Sequence, residues 1–230
     1  MSVIAGESNT RQRPTRQNLS EAAAVTLTLA LAAASWIAAI AMMRGMNMGV
    51  ATELGSLASF MLLWIVMMAA MMLPGAVPAM LRRVRFVGRM RVAPFFIVAY
   101  LAIWAVVGVV MYALYKPHGT TVVGVVAIIV AAYELTPLKR RFRSLCHDGA
   151  CTGLAFGLYC VGSSIGLMVL LLLVGAMNLV WMAAVAALVL MQKLLPAKAT
   201  IDVPVAGAIA ALGVLILIAP AALPGLMPAM

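Results

Sequence analysis

The sequence predicts an all-α fold, a polytopic transmembrane helix bundle of about seven helices with the N-terminus cytoplasmic and the C-terminus outside. Three observations predict it. First, 66% of the 230 residues are hydrophobic and 10% are charged, whereas an ordinary soluble domain is roughly 45–50% apolar. Second, the apolar residues fall into runs at 22–43, 57–80, 94–115, 120–135, 153–177, 179–195 and 205–223, and about 20 such residues carry a helix across a hydrocarbon core. Third, the runs lack the alternation of a barrel strand, so a helix is the form that satisfies every backbone amide in lipid.

The elements follow in order. Residues 1–20 are polar, Arg-containing and aperiodic, so a disordered basic tail is expected before a single transmembrane domain over 21–225. Ser20 and Glu21 have the chemistry of a helix start. The first apolar run is longer than the apolar region of a signal peptide and is read as an anchor. Pro74 and Pro78 fall in the final turns of the second run, Pro94 opens the third, and Thr136–Pro137 closes the short fourth. In the fifth run, Gly153 and Gly157, then Gly162 and Gly166, form two small-residue pairs that let neighbouring helices approach. Trp64, Met68, Met72, Asn178 and Trp181 join them as expected packing residues. Pro204 suits the first turn of the last run, with Pro220 and Pro224 at its end.

The net charge of +10 sits in short clusters between apolar blocks, which argues against nucleic acid as a partner and for a bilayer. Arg11, Arg13, Arg16, Arg82, Arg83, Arg85, Arg89, Arg91, Lys139, Arg140, Arg141, Arg143, Lys193 and Lys198 lie in alternate connections, against Arg44 and Lys116 in the others. Such an asymmetry places the fourteen on the cytoplasmic side of a bacterial inner membrane. The connection carrying Arg82, Arg83, Arg85, Arg89 and Arg91 is expected to meet anionic headgroups, each charge contributing about 1 kcal/mol.

Candidate chemistry is sparse. Glu134 and Asp202 fall at cytoplasmic run ends and are read as interfacial carboxylates in solvent or simple ion pairs. Cys146, His147 and Cys151 lie within six residues, and Cys160 follows in the fifth run. Thiolate and imidazole suit copper(I) or zinc, yet Cys160 stands about 13.5 Å along a continuous helix from Cys151, too far to share an ion with it. On the opposite side Met42, Met43, Met46 and Met48 form a thioether cluster that could take copper(I). Met is also an adaptable packing residue, which is the expected role of the methionines in the second run. No phosphate loop, nucleotide fingerprint, Ser-His-Asp set or catalytic carboxylate pair is present. A membrane oxidoreductase would need a His set, and the chain has only His118 and His147.

Four ordered motifs add a resemblance: Trp64 to Pro74 (WIVMMAAMMLP), Tyr133 to Lys139 (YELTPLK), Gly157 to Gly162 (GLYCVG) and Gly175 to Met182 (GAMNLVWM). Over roughly residues 57–195 the chain resembles a bacterial family of predicted metal-binding integral membrane proteins, a domain of unknown function. That resemblance implies a Cys where Phe142 stands, a His at Phe156, a Cys pair and Trp at Ser163, Ser164 and Ile165, and a Glu at Gln192. Of its usual Cys set, Cys146 and Cys160 remain. The implied reading is a divergent member that keeps the scaffold and has lost the family's site. The leading expectation is a membrane protein without its own catalytic centre, serving as an accessory or structural subunit connected with copper. Its partners would be other membrane subunits or copies of itself. The rival is a metal-binding transporter or metallochaperone using the Cys, His and Met donors.

Overall fold

A computed structural model of the protein describes residues 16–44, 55–116, 118–147, 151–175, 178–195 and 199–219. The regular structure among them is helical: α1 (Arg16–Met43), α2 (Leu57–Val87), α3 (Val92–Leu114), α4 (Thr120–Glu134), α5 (Pro137–His147), α6 (Gly153–Gly175), α7 (Leu179–Leu194) and α8 (Ala199–Ile218). Seven correspond to the expected apolar runs. α5 is the addition, an amphipathic helix where a simple inner connection is expected.

Local chemistry explains that addition. The Thr136 hydroxyl donates to the Tyr133 carbonyl (2.7 Å) and accepts from the Lys139 N–H (3.3 Å). Pro137 occupies the first helical position, where its missing N–H costs nothing. The same Thr-Pro pair therefore ends α4 and starts α5, with a bend of 65° between them. Three further boundaries differ from expectation. α1 is already helical at Arg16, so Ser20 lies inside it, α2 continues through Pro74 and Pro78 to Val87, and α8 starts at Ala199, which puts Pro204 inside the helix and past its first turn. At 31 residues α2 is about 46 Å long, which carries its Arg-bearing end beyond the width of a hydrocarbon core. Its start is capped by the Ser56 hydroxyl, which accepts from Ser59 N–H. Its end is Gly88 at φ 70°, a left-handed conformation that glycine adopts without strain.

α2 and α6 form the centre. α2 packs against α1, α3 and α7, while α6 packs against α3, α4, α5 and α7. Trp64 is buried in this layer, stacked on Phe60, and its indole N–H donates to the Trp104 carbonyl at 2.8 Å. Met67, Met68, Met71 and Met72 are all buried core residues. α8 packs mainly on α4, where Gly124 and Gly213 bring the backbones together: a Cβ on either would stand 3.0 Å from the other's carbonyl oxygen.

Contacts at the helix ends fix the chain's up-and-down course. At one end Arg85 of α2 pairs with Glu21 of α1 (2.7 Å), Arg82 donates to the Cys146 carbonyl (2.9 Å), and Glu134 of α4 meets Gln192 of α7. At the other, the Tyr112 hydroxyl of α3 donates to the Gly55 carbonyl, and His118 before α4 bonds the Leu173 carbonyl of α6. The Lys- and Arg-rich ends thus gather together. Four spans, Glu21–Met43, Leu57–Val87, Val92–Leu114 and Gly153–Gly175, are long and apolar enough to cross a membrane. The bent α4 and α5 pair qualifies if taken as one, and α7 and α8 are apolar but shorter.

Candidate metal site

α5, which carries Cys146, packs on α6, which carries Cys160. Thr152 caps the start of α6, its hydroxyl accepting from Ala155 N–H, and glycines on successive turns then set the distances to the neighbours. A Cβ at Gly153 would collide with the Phe96 carbonyl of α3, and one at Gly157 would press on Ile103 at 3.0 Å. A Cβ at Gly162 would stand 2.6 Å from the Phe142 ring of α5, and one at Gly166 would stand 3.1 Å from Val130 of α4. The first glycine pair therefore seats α3, and the second seats α5 and α4. The Gly162 contact holds α5 against α6, with the half-buried Cys146 in the electrostatic surroundings of Cys160, Cys151, Lys193 and Ser163.

Cys160 is fully buried, and its sulfur lies 3.2 Å from the Tyr100 hydroxyl. That hydroxyl accepts from the Lys193 ammonium at 3.0 Å, and the same ammonium lies 3.4 Å from the Met72 sulfur. Lys193 also sits over the rings of Tyr100 and Phe156, at 5.5 and 5.9 Å from their centroids. A Cβ on Gly75 would collide with the Lys193 stem, so glycine there opens the path for it. Beside this chain of contacts is a cavity of about 30 Å³ lined by Gly75, Pro78, Arg82, Cys146, Phe156 and Lys193, large enough for one water or small ion. Cys146 is the soft donor in its wall, a thiol of the kind that suits a soft monovalent cation, while the Met72 thioether and Cys160 lie behind Lys193, joined to it directly and through the Tyr100 hydroxyl.

The other expected donors are distributed differently. Cys151 lies before α6, and its thiol faces the Leu145 carbonyl at 4.0 Å. The His147 side chain, Met46 and Met48 lie outside the described residues. Met43 is buried in the core and Met42 packs against it. His118 is at the far end of the bundle from Cys146 and bonds two backbone carbonyls. Among the described residues, no three His, Cys, Asp or Glu side chains converge to hold an ion. Asn178 caps α7, accepting from Val180 and Trp181 N–H. Trp181 lines an apolar cleft of about 390 Å³ between α6, α7 and α8. Of the five clustered arginines, Arg82 and Arg85 have protein partners, Arg83 lies over the Phe86 ring, and Arg89 and Arg91 are exposed.

Next to the thiols is an ionic network in which Glu134 and Asp202, read from the sequence as interfacial carboxylates in solvent or simple ion pairs, are paired but buried. Glu134 and Asp202 are 1% and 0% exposed. Glu134 pairs with Lys139, which donates to Gln192 Oε1 (3.1 Å), while Gln192 Nε2 donates to Glu134 (2.8 Å). Asp202 pairs with Arg143, which also donates to the Gln192 carbonyl (2.9 Å). α5 thus turns Lys139 and Arg143, one helical turn apart, inward and leaves Leu138 exposed. The network ties α4, α5, α7 and α8 together at the end where the thiols lie.

Residues 61–216 match the family model PpoB2, described as a copper chaperone. The chain belongs to that family. The expected metal-related kinship holds at this level, and so does a connection with copper. No curated protein and no solved structure matches the chain. Within this family member, several of the positions where ligands are implied but absent surround the remaining thiols. Phe156 packs on Tyr100 (ring centroids 5.4 Å apart), the Ser163 hydroxyl donates to the Cys160 carbonyl (2.9 Å), and Gln192 precedes Lys193 on α7. Tyr100 and Lys193 are the site residues that sequence reasoning missed. A Gln-Lys pair interrupting an apolar run was the available signal.

Proposed function

We propose that this chain is a membrane-embedded copper(I) chaperone that holds its cargo on Cys146 and Cys160, with the Met72 thioether nearby, and passes it to other proteins of the bacterial cytoplasmic membrane. It carries no catalytic centre of its own on this reading. The observation that supports it is Cys146 in the wall of a small cavity, on a helix packed against the one that carries Cys160, within the stretch that matches the copper chaperone family. A thiol pair binds copper(I) by losing both protons, and such ligation is reversible when another protein offers thiolates in exchange.

Protein purified without oxygen is expected to retain about one copper(I) per chain, measured by competition with a chromophoric copper(I) chelator. Cys146→Ser or Cys160→Ser should each weaken binding by more than the roughly 10–100-fold that losing an outer partner of a metal site costs. Copper binding that ignores both substitutions would overturn the reading. It would favour instead an accessory structural subunit, which Phe156 and Gln192 at implied ligand positions support. The seven-crossing topology has its own check. Single cysteines placed near Arg85 and near Arg140 should be labelled only from the cytoplasmic face, and one near Lys116 only from outside. Labelling of the first two from opposite faces would refute that topology.

A further inference from the structure

The small cavity at the Lys- and Arg-rich end has two cations in its wall and no acid. Arg82 of α2 and Lys193 of α7 are the charged side chains that line it, and apart from the Cys146 thiol the rest of the lining is apolar, with Pro78, Ala79 and Phe156 in it. None of the ion pairs among the described residues involves Arg82 or Lys193. The Lys193 ammonium has neutral partners, the Met72 sulfur at 3.4 Å and the Tyr100 hydroxyl at 3.0 Å. One terminal nitrogen of Arg82 donates to the Cys146 carbonyl at 2.9 Å, while its Nε is buried and has no acceptor. A buried donor without an acceptor is rare in a folded protein. Two cations drawn out of water side by side also repel each other unless a negative charge lies between them. The space they border is about 30 Å³, room for one small ion.

We propose that this cavity is a binding site for one small inorganic anion, a halide such as chloride, held between Arg82 and Lys193. The assignment goes beyond the cargo reading and needs no copper. The wall suits a halide better than a phosphate. A halide is a single sphere that is satisfied by a guanidinium N–H and an ammonium, whereas each oxygen of a phosphate needs its own donor, and the Pro78, Ala79 and Phe156 side chains offer none. Gly75 keeps the seat open, since a Cβ there would collide with the Lys193 stem. A bound anion joins α2 to α7 through the two cations and lowers the positive potential that an arriving metal cation would meet at Cys146. It enters and leaves intact, with no bond made or broken in the protein.

The test uses the full-length protein in a maltoside detergent, which brings no phosphate, with chloride exchanged for gluconate at constant ionic strength. The unfolding midpoint of wild type is expected to rise saturably with chloride, by roughly 3–6 °C at ten times the dissociation constant. Equilibrium dialysis should find about one radiolabelled chloride per chain, displaced by bromide and not by inorganic phosphate. Arg82→Gln and Lys193→Gln should each weaken chloride binding by about tenfold or more, since each removes a charge from a poorly solvated seat. Lys193→Arg keeps the charge and should keep the binding. The two neutral variants lie on different helices, so misfolding of one leaves the other to decide. Wild type without saturable chloride binding, a folded neutral variant that binds chloride as wild type does, or displacement by phosphate as readily as by bromide would each overturn the proposal. Asp148 is the acid nearest to Cys146 in the chain and lies outside the described residues. Chloride binding that emerges only in Asp148→Asn would assign the seat to that carboxylate and also overturn it. Copper(I) binding to Cys146 and Cys160 is measured separately in chloride-free buffer, so its failure and that of the anion site are told apart.

Discussion

Replacing Glu134 by alanine is expected to destabilise the protein by about 3–5 kcal/mol, because it leaves the Lys139 ammonium buried and unpaired. Lys139 is 0% exposed and its partners are Glu134 and Gln192. Without the carboxylate only the amide oxygen remains, and a neutral acceptor does not offset the desolvation of a full charge. The double variant Glu134→Leu with Lys139→Met should recover most of the loss, since apolar groups of similar volume remove both charges together. Unfolding in a detergent titration, monitored for all three proteins, measures this. An unchanged midpoint for Glu134→Ala would mean that water reaches Lys139. The pairing explains why two acids and two bases can be tolerated inside a bundle this apolar: each charge has a partner, and Gln192 joins the two pairs through its side chain and its carbonyl.

The second large effect is expected at Gly162. A methyl group there would stand 2.6 Å from the Phe142 ring, so Gly162→Ala should push α5 off α6 at about 1–3 kcal/mol of strain. The consequence for the site exceeds the strain, because α5 carries Cys146 while α6 carries Cys160. Copper(I) affinity should fall by about tenfold or more, as a misplaced ligand loses its geometry, and the Cys146 thiol should react faster with a maleimide. Adding Phe142→Ala to Gly162→Ala makes room for the methyl group and should restore both properties. Equal copper affinity in wild type and Gly162→Ala would show that the position of α5 does not govern the site.

The helices were legible wherever a run of about 20 apolar residues made the backbone argument decisive, which covers α1, α2, α3 and α6. α5 was not, since PLKRRFRS looks like a charged connection and its helical start depends on Thr136 bonding on both sides of the bend. Glycine spacing in α6 pointed to close packing, but not to which neighbour each glycine would admit. The resemblance marked Phe156, Ser163 and Gln192 as altered ligand positions, and the fold then placed them around Cys146, Cys160 and Lys193. Cys146 and Cys151 stood out as a pair because they are close in the chain. Cys160, fourteen positions from Cys146, lies on the helix against which α5 packs.

Composition and run length alone were enough for an all-helical, lipid-compatible chain with its cations gathered at one end, because transfer from water and backbone hydrogen bonding are properties of the residues themselves. Which charges turn inward and which helices pack on one another required the folded bundle. Lys139 and Arg143 count as surface cations until Glu134 and Asp202 are brought beside them, and the helix that carries Cys146 packs on the one that carries Cys160 only after a 65° bend folds α5 onto α6. Pairing energies depend on distance and local dielectric, and neither quantity exists before the helices pack.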